Sequence, residues 1–108
     1  MTTYEQAIKI AQALSDKLAQ DIKVIEINDV TVLADYMVIA TGRSSTQVKA
    51  LADEVKDMFP AMELDLRRTE GYNEGRWIVM DFASILVHIF CPDERQYYNM
   101  ERLWSDPV

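Results

Sequence analysis

Cysteine and histidine each occur once in this chain of 108 residues, as Cys91 and His88. A single cysteine excludes a disulfide framework within the chain, and such scarcity is typical of a reducing compartment. Because a structural zinc site usually needs four nitrogen or sulfur ligands, the two residues also argue against zinc. We therefore expect a cytoplasmic protein that uses no disulfide, no metal ion and no cofactor.

Long apolar runs are absent too, and the longest are far too short to span a membrane. The N-terminal stretch MTTYEQAIKIAQALSDKLAQ has neither a basic start nor an extended apolar segment, so it does not resemble a signal peptide. Only three prolines and three glycines interrupt the chain, and no repeat or linker is visible. The length suits one hydrophobic core, so we expect residues 1–108 to form a single domain.

Positive charge is scarce, and the net charge is −7. Residues 1–52 hold six acids and five bases, whereas residues 53–108 hold twelve acids and six bases. An acidic surface repels a phosphate backbone, which disfavours direct, nonspecific binding of nucleic acid. A basic protein is the better-matched partner, although the same charge would also serve solubility alone.

What the chain does contain is a regular alternation of apolar and polar residues. Helical spacing predicts a first helix capped by Thr2 or Thr3, and a second capped by Ser44 or Ser45 and stopped by Pro60. Pro92 opens a third helix. Strands are predicted in DIKVIEIN, YMVIATG, MELDLRR, RWIVMDF and ILVHIF. The order α-β-β-α-β-β-β-α predicts a mixed α/β sheet of about five strands with helices mainly on one face.

Some apolar positions of these helices are expected to be buried. They are Ala7, Ile8, Ala11, Leu14 and Leu18 in the first helix, Val48, Leu51, Ala52, Val55 and Phe59 in the second, and Tyr97, Met100 and Trp104 in the third.

The stretch RWIVMDFASILVHIF has two apolar faces if it forms a hairpin. A two-residue turn at Ala83-Ser84 pairs Trp77 with Phe90, and paired residues share a face. One face is then pure core: Ile78, Met80, Phe82, Ile85, Val87 and Ile89. The other face carries Trp77, Val79, Asp81, Leu86, His88 and Phe90. Ala-Ser is not a favoured sequence for a tight hairpin turn, so a longer loop with another register stays open.

Three interpretations of this second face compete. A helix of the same chain covers it, with Asp81 and His88 hydrogen-bonded inside. Asp81 and His88 form a catalytic dyad, although no nucleophile pattern accompanies them. Alternatively, the face is a docking surface, in which a central Trp77 ringed by polar groups has the anatomy of a binding hot spot.

The segment ATGRSSTQVKAL combines a strand, a glycine turn and a helix start, a geometry that can cradle an anion. It resembles the nucleotide-binding turn of nucleotidyltransferases, which also need carboxylates on adjacent strands to hold magnesium. Asp53 and Glu54 diverge on the predicted helix and Asp65 stands alone, so that metal site is not assembled. A plain helix cap is the alternative.

Three segments resemble the ribosomal silencing factor, or Iojap-like, family: DYMVIATGRSSTQVKALADEV, EGYNEGRWIVMDF and VHIFCPDERQYYNMERLW. With the first helix, the resemblance covers nearly the whole chain. The residues that match the family's motifs are Glu70, Gly71, Trp77, Asp81, His88, Arg95, Tyr98, Leu103 and Trp104. One departure is Ala83-Ser84, where relatives usually have Gly-Asp, and it puts the turn geometry in doubt.

This resemblance implies a nucleotidyltransferase-like fold without catalytic carboxylates, and a protein that is not an enzyme. It also implies binding to the large ribosomal subunit through its intersubunit-face protein number fourteen, which blocks subunit joining and represses translation. We expect Glu70, Trp77, Val79, Asp81, Leu86, His88 and Phe90 to form the partner-binding site. Three alternatives stay open: a role in large-subunit assembly, nucleotide binding at the Gly42 turn, and a homodimer closed by the same face.

Overall fold

A computed structural model of the chain describes residues 1–28, 34–62 and 64–98. Within these ranges the helices and strands follow the predicted order. Their bounds are α1 Thr3–Asp16, β1 Gln20–Glu26, β2 Tyr36–Thr41, α2 Ser45–Met58, β3 Arg68–Glu70, β4 Trp77–Asp81, β5 Ile85–Phe90 and α3 Pro92–Tyr98. A short 3-10 helix, Phe59–Met62, follows α2.

The described strands form one five-stranded mixed sheet in the order β1-β2-β5-β4-β3. Strands β2 and β5 are parallel, and the other neighbouring pairs are antiparallel. The apolar run YMVIAT lies inside this sheet, and every residue of it after Tyr36 is buried. Both the mixed α/β class and the central position of β2 confirm the sequence prediction.

The sheet has an inner face, which packs against α1 and α2, and an outer face on the opposite side. Alternation along the strands sends every second side chain inward, and the helices supply their apolar stripes to the same core. The predicted inward residues of the hairpin are all buried there: Ile78, Met80, Phe82, Ile85, Val87 and Ile89.

Side-chain caps fix the starts of α1 and α2. The Thr2 hydroxyl accepts a hydrogen bond from the Glu5 N–H at 3.1 Å, and the Glu5 carboxylate accepts one from the Thr2 N–H at 2.9 Å. This reciprocal capping box also holds the pKa of Glu5 below its ordinary value. Ser44 caps α2 through the Gln47 N–H. The predicted burial of Leu18 is wrong. Helix α1 ends at Asp16, and Leu18, beyond that end, is 70% exposed.

The third strand is displaced from its predicted position. MELDLRR was expected to be a strand, but β3 is only Arg68–Glu70, which the prediction assigned partly to a loop. Leu64 and Leu66 instead pack on the core from outside the sheet. Their alternation reflects this packing, and a two-residue period alone cannot distinguish it from strand pairing.

The start of α3 lies at the ends of β2 and β5. The predicted core position of Tyr97 is wrong, because this side chain is 81% exposed on the helix surface. Leu103, Met100 and Trp104 lie outside the described residues. Among the residues that the structure describes, no helix has both the length and the apolarity that a membrane crossing would require.

Candidate docking face

The hairpin register is the predicted one. Trp77 pairs with Phe90, Val79 with His88, and Asp81 with Leu86. The Phe82 N–H donates to the Ile85 carbonyl at 3.0 Å, which closes the chain around Ala83 and Ser84. Ala83 has a φ of 67°, the left-handed region that favours glycine, so the turn forms despite an unfavourable residue.

Strand β3 extends the outer face beyond the hairpin. Glu70 pairs with Val79, and Arg68 pairs with Asp81, so both side chains belong to the face that carries Trp77. Both are exposed. Glu70 was predicted for this site, whereas Arg68 was missed. The sequence placed Arg68 at the end of the predicted strand MELDLRR, and RTE has no apolar alternation that would pair it with β4.

Burial divides the predicted site residues into two groups. Trp77, Val79, Asp81 and Leu86 are half-buried. The other two predicted site residues of this row, His88 and Phe90, are buried, being 4% and 1% exposed. Together with exposed Glu70, the four half-buried residues form what we call the docking strip: Glu70, Trp77, Val79, Asp81 and Leu86.

The β1–β2 half of the outer face is closed by a second hydrophobic cluster that includes Phe90. Its other buried members are Ile25, Ile27, Ala34, Met37 and Ile39, and Trp77 and Leu86 pack against it. The accessible part of this face is therefore displaced toward β4 and β3.

Trp77 is anchored on its strand neighbours by aromatic contacts and one hydrogen bond. Its ring stacks on Phe90 with a centroid distance of 5.0 Å and contacts Tyr98 of α3 at 4.6 Å. Its indole Nε1–H donates to His88 Nδ1 at 3.1 Å. A large aromatic side chain held in one orientation loses little conformational entropy when it binds a partner.

His88 sits beneath this indole as a neutral acceptor. Desolvation lowers its pKa from 6.5 to about 4, because burial penalises the imidazolium form. Since Nδ1 accepts from Trp77, the neutral ring carries its proton on Nε2, which has no hydrogen-bond partner among the described residues. His88 thus orients Trp77 and does not itself reach the surface.

The hydrogen bonds of this region do not assemble a catalytic dyad. Asp81 accepts from the Ala83 N–H at 2.8 Å and so braces the hairpin turn. His88 Nδ1 is bonded to Trp77 and His88 Nε2 has no partner within the described ranges. The same described ranges contain no group of three acidic, cysteine or histidine side chains suited to a metal ion.

Gly71 explains why the β3–β4 connection can approach Trp77 so closely. Its φ is 82°, and a Cβ atom at this position would lie 2.1 Å from the Trp77 carbonyl oxygen. Only glycine fits such a close backbone approach without displacement of a strand. The dipeptide Glu70-Gly71 therefore places an acid on the docking strip and brings the edge strand against β4.

The turn after β2 uses its polar groups internally. The Gly42 N–H donates to the Phe90 carbonyl at 2.8 Å, and the Arg43 N–H donates to the Gln47 side chain at 2.6 Å. Ser44 accepts from the Gln47 N–H at 3.2 Å. These bonds favour the helix-cap interpretation of the ATGRSS segment over a phosphate cradle.

A two-layer mixed α/β domain with a partly open, acid-bordered aromatic strip has the features of a protein-binding module. The family described as "RsfS: Ribosomal silencing factor during starvation" matches residues 1–107, and the chain belongs to this family. Membership gives it a ribosome-associated role in silencing translation.

Named relatives are similar in sequence to this chain over most of their length. The chain is 41% identical to the ribosomal silencing factor RsfS of Bacillus subtilis over 89% of this chain and 81% of that protein. It is 35% identical to the RsfS of Halalkalibacterium halodurans over 98% and 91% of the two chains. A crystal structure of a Chromobacterium violaceum protein superposes with a TM-score of 0.89 at 34% identity, covering 99% of this chain and 92% of that one.

Proposed function

We propose that this protein represses translation by binding the large ribosomal subunit through the docking strip and blocking attachment of the small subunit. The partner is a basic protein of the intersubunit face, number fourteen of the large subunit. The action is occlusion without catalysis, and it takes place in the cytoplasm, where the subunits meet. Family membership supports the ribosomal role, and the strip supplies the contact surface.

The observation that carries this proposal is the geometry of Trp77. A half-buried indole, stacked on Phe90 and bonded to His88, presents a preorganised apolar anchor. Glu70 on the neighbouring strand adds an exposed carboxylate to the same surface. Aromatic anchors with a polar rim are the residues that dominate binding energy in protein interfaces.

Occlusion is tested by a subunit-joining experiment. Purified large subunits are preincubated with the protein, small subunits are added, and joining is followed by light scattering and sucrose gradients. We expect joined ribosomes to decrease in proportion to bound protein, with the protein migrating only with free large subunits. Joined ribosomes that retain the protein would refute steric occlusion, even if ribosome binding itself is intact.

Acidic complementarity predicts how binding responds to charge. Glu70→Lys reverses a charge on the docking strip, and we expect the association rate with large subunits to fall several-fold at low salt because steering is lost. Raised salt should bring the association rates of Glu70→Lys and the wild type closer together, since exposed charges are screened. Asp57→Lys on α2 is the matched control, because it makes the same charge change away from the outer face. Equal slowing by both variants would show only a net-charge effect.

Two other functions have less support. Nucleotidyl transfer would need an anion cradle at Gly42, where the backbone N–H groups are bonded within the chain. Large-subunit assembly would use the same strip, so it is distinguished by timing: an assembly factor binds immature subunits in preference to mature ones.

Self-association through the strip is tested by sedimentation, since the ribosomal partner and a second copy would compete for Trp77.

A further inference from the structure

The ion pair between Arg76 and Glu94 joins the residue before β4 to the first turn of α3. Arg76 Nε donates to Glu94 Oε2 at 2.5 Å, and Arg76 Nη2 donates to Glu94 Oε1 at 3.0 Å. Two parallel bonds between a guanidinium and a carboxylate fix the relative orientation of the two groups, which a single contact does not. Neither residue belongs to the docking strip, so occlusion through that strip gives the pair no role.

The pair lies on the same face of α3 as the aromatic neighbour of Trp77. Glu94 and Tyr98 are four residues apart in this helix, and residues at that spacing share one face. Glu94 binds Arg76, and the ring of Tyr98 contacts the next residue, Trp77, with a centroid distance of 4.6 Å. The other aromatic neighbours of Trp77 in the described ranges both belong to β5. Tyr98 is therefore the aromatic contact of Trp77 that depends on where α3 lies.

Polar contacts hold the described part of α3 on the sheet, since none of its described side chains is buried. The Cys91 N–H donates to the Arg76 carbonyl at 2.8 Å and fixes the start of the helix. Arg95 Nη1 donates to the Thr41 hydroxyl at 2.8 Å and ties the helix to β2. The bidentate bond of Glu94 is the side-chain tie toward β4, where Trp77 lies.

We infer that Glu94 and Arg76 are positioning residues of the docking strip. Their ion pair sets the rotation of α3 about its start, holds Tyr98 against the indole of Trp77, and so fixes the orientation in which Trp77 meets its partner. Without the pair, binding must restore an order that the wild-type protein already has, which lowers affinity. The inference rests on the proposed docking through Trp77, and it adds two residues that act on this contact without reaching the partner.

The conformational part of the inference is tested by NMR on the isolated protein. Nuclear Overhauser effects between the Tyr98 and Trp77 rings should weaken at least twofold in Glu94→Arg, because attraction to Arg76 becomes repulsion. Asp93→Arg is the matched control, since it makes the same charge change at the exposed preceding residue of the helix, and it should leave these effects nearly unchanged. Wild-type ring contacts in Glu94→Arg would overturn the inference.

A charge swap tests whether the pair itself is responsible. The double variant Arg76→Glu/Glu94→Arg restores opposite charges at these two positions and has the wild-type net charge. We expect it to recover most of the Tyr98–Trp77 ring contact that Glu94→Arg loses. A double variant whose ring contacts are no stronger than those of Glu94→Arg would overturn the inference.

Affinity for purified large ribosomal subunits then separates positioning from direct contact. At raised salt, where exposed charges are screened, Glu94→Arg should weaken binding about fivefold and Asp93→Arg less than twofold. In a Trp77→Ala background, Glu94→Arg should weaken binding no more than Asp93→Arg does, because no indole is left to orient. Equal weakening by Glu94→Arg in both backgrounds would show that Glu94 contacts the partner itself, and it would overturn the inference.

Failure of the inference is distinguishable from failure of the proposed function. Weakened binding by Trp77→Ala together with wild-type binding by Glu94→Arg would refute the role of the ion pair and leave docking through the strip intact. Undiminished binding by Trp77→Ala would instead refute docking through the strip, and with it the role of the pair in binding.

Discussion

At the scale of single residues, His88 connects the hydrophobic packing of the sheet to the half-buried Trp77. The His88 ring accepts a hydrogen bond from the Trp77 indole, and it stacks on Phe90 with a centroid distance of 6.0 Å. Burial of a neutral histidine costs little free energy, whereas burial of its protonated, charged form costs much more. The orientation of Trp77 is therefore tied to the protonation state of one group.

Stability should consequently fall in acid. The folded-state pKa of His88 is about 4, below the ordinary 6.5, so between these values the unfolded chain binds a proton that the folded chain excludes. The stabilisation is complete above pH 6.5 and is lost as pH falls toward 4, about 3 kcal/mol in all. The free energy of unfolding, measured by urea titration at several pH values, should depend less steeply on pH between 4 and 6.5 in His88→Gln than in the wild type. The glutamine retains an acceptor for the Trp77 indole. Identical slopes for both proteins would contradict a buried, neutral His88.

Ala83 is a second residue whose conformation is unusual. Its φ of 67° is a left-handed value that costs a residue with a Cβ atom about 1–2 kcal/mol. Ala83→Gly should therefore raise the free energy of unfolding by roughly 0.5–1 kcal/mol after the added flexibility of the unfolded chain is deducted. Ala13→Gly within α1 is the matched control, and it should destabilise by about 1 kcal/mol. Destabilisation by both changes would show that the turn is not strained.

At the scale of elements, the sequence predicted the sheet interior well and its edge poorly. The strands β2, β4 and β5 are apolar runs bounded by glycine, proline or turn residues, and their hairpin register follows from the requirement that one face be buried. Strand β3 has three exposed residues and no such requirement. Its pairing is fixed by tertiary contacts, which a local pattern does not contain.

The same distinction explains the candidate site. Trp77, Val79, Asp81 and Leu86 could be assigned to one face from alternation alone. The burial of His88 and Phe90 could not, because it depends on the outer cluster to which β1, Ala34 and β2 contribute. The place of Arg68 on this face required the position of β3.

The edge strand itself should depend on Gly71. Gly71→Ala places a Cβ against the Trp77 carbonyl in a left-handed conformation, so we expect a loss of about 2 kcal/mol or more in stability. Amide exchange should rise at Arg68, Glu70 and Val79, which report on β3–β4 pairing. Asn73→Ala, at an exposed position of the same connection, should leave both measurements nearly unchanged. A fully stable Gly71→Ala protein would show that the connection relaxes freely.

At the scale of the whole molecule, the two faces of one sheet have different tasks. The inner face supplies the core with α1 and α2, and this half of the protein is closed. The outer face is closed over β1 and β2 but half-open along the docking strip. A small domain can thus close its core on one face of a sheet and keep ordered side chains half-open on the other. Ordered side chains lose less entropy when they bind a partner.

The most direct test compares the affinity of purified large ribosomal subunits for the wild type, Trp77→Ala and Tyr4→Ala, each shown to be folded by circular dichroism. Tyr4 is an exposed aromatic on α1 that packs on Tyr36, away from the docking strip. We predict that Trp77→Ala weakens binding by about 2 kcal/mol, roughly thirtyfold in Kd, and that Tyr4→Ala changes it less than twofold. Undiminished binding by folded Trp77→Ala, or an equal loss with Tyr4→Ala, would contradict docking through this strip.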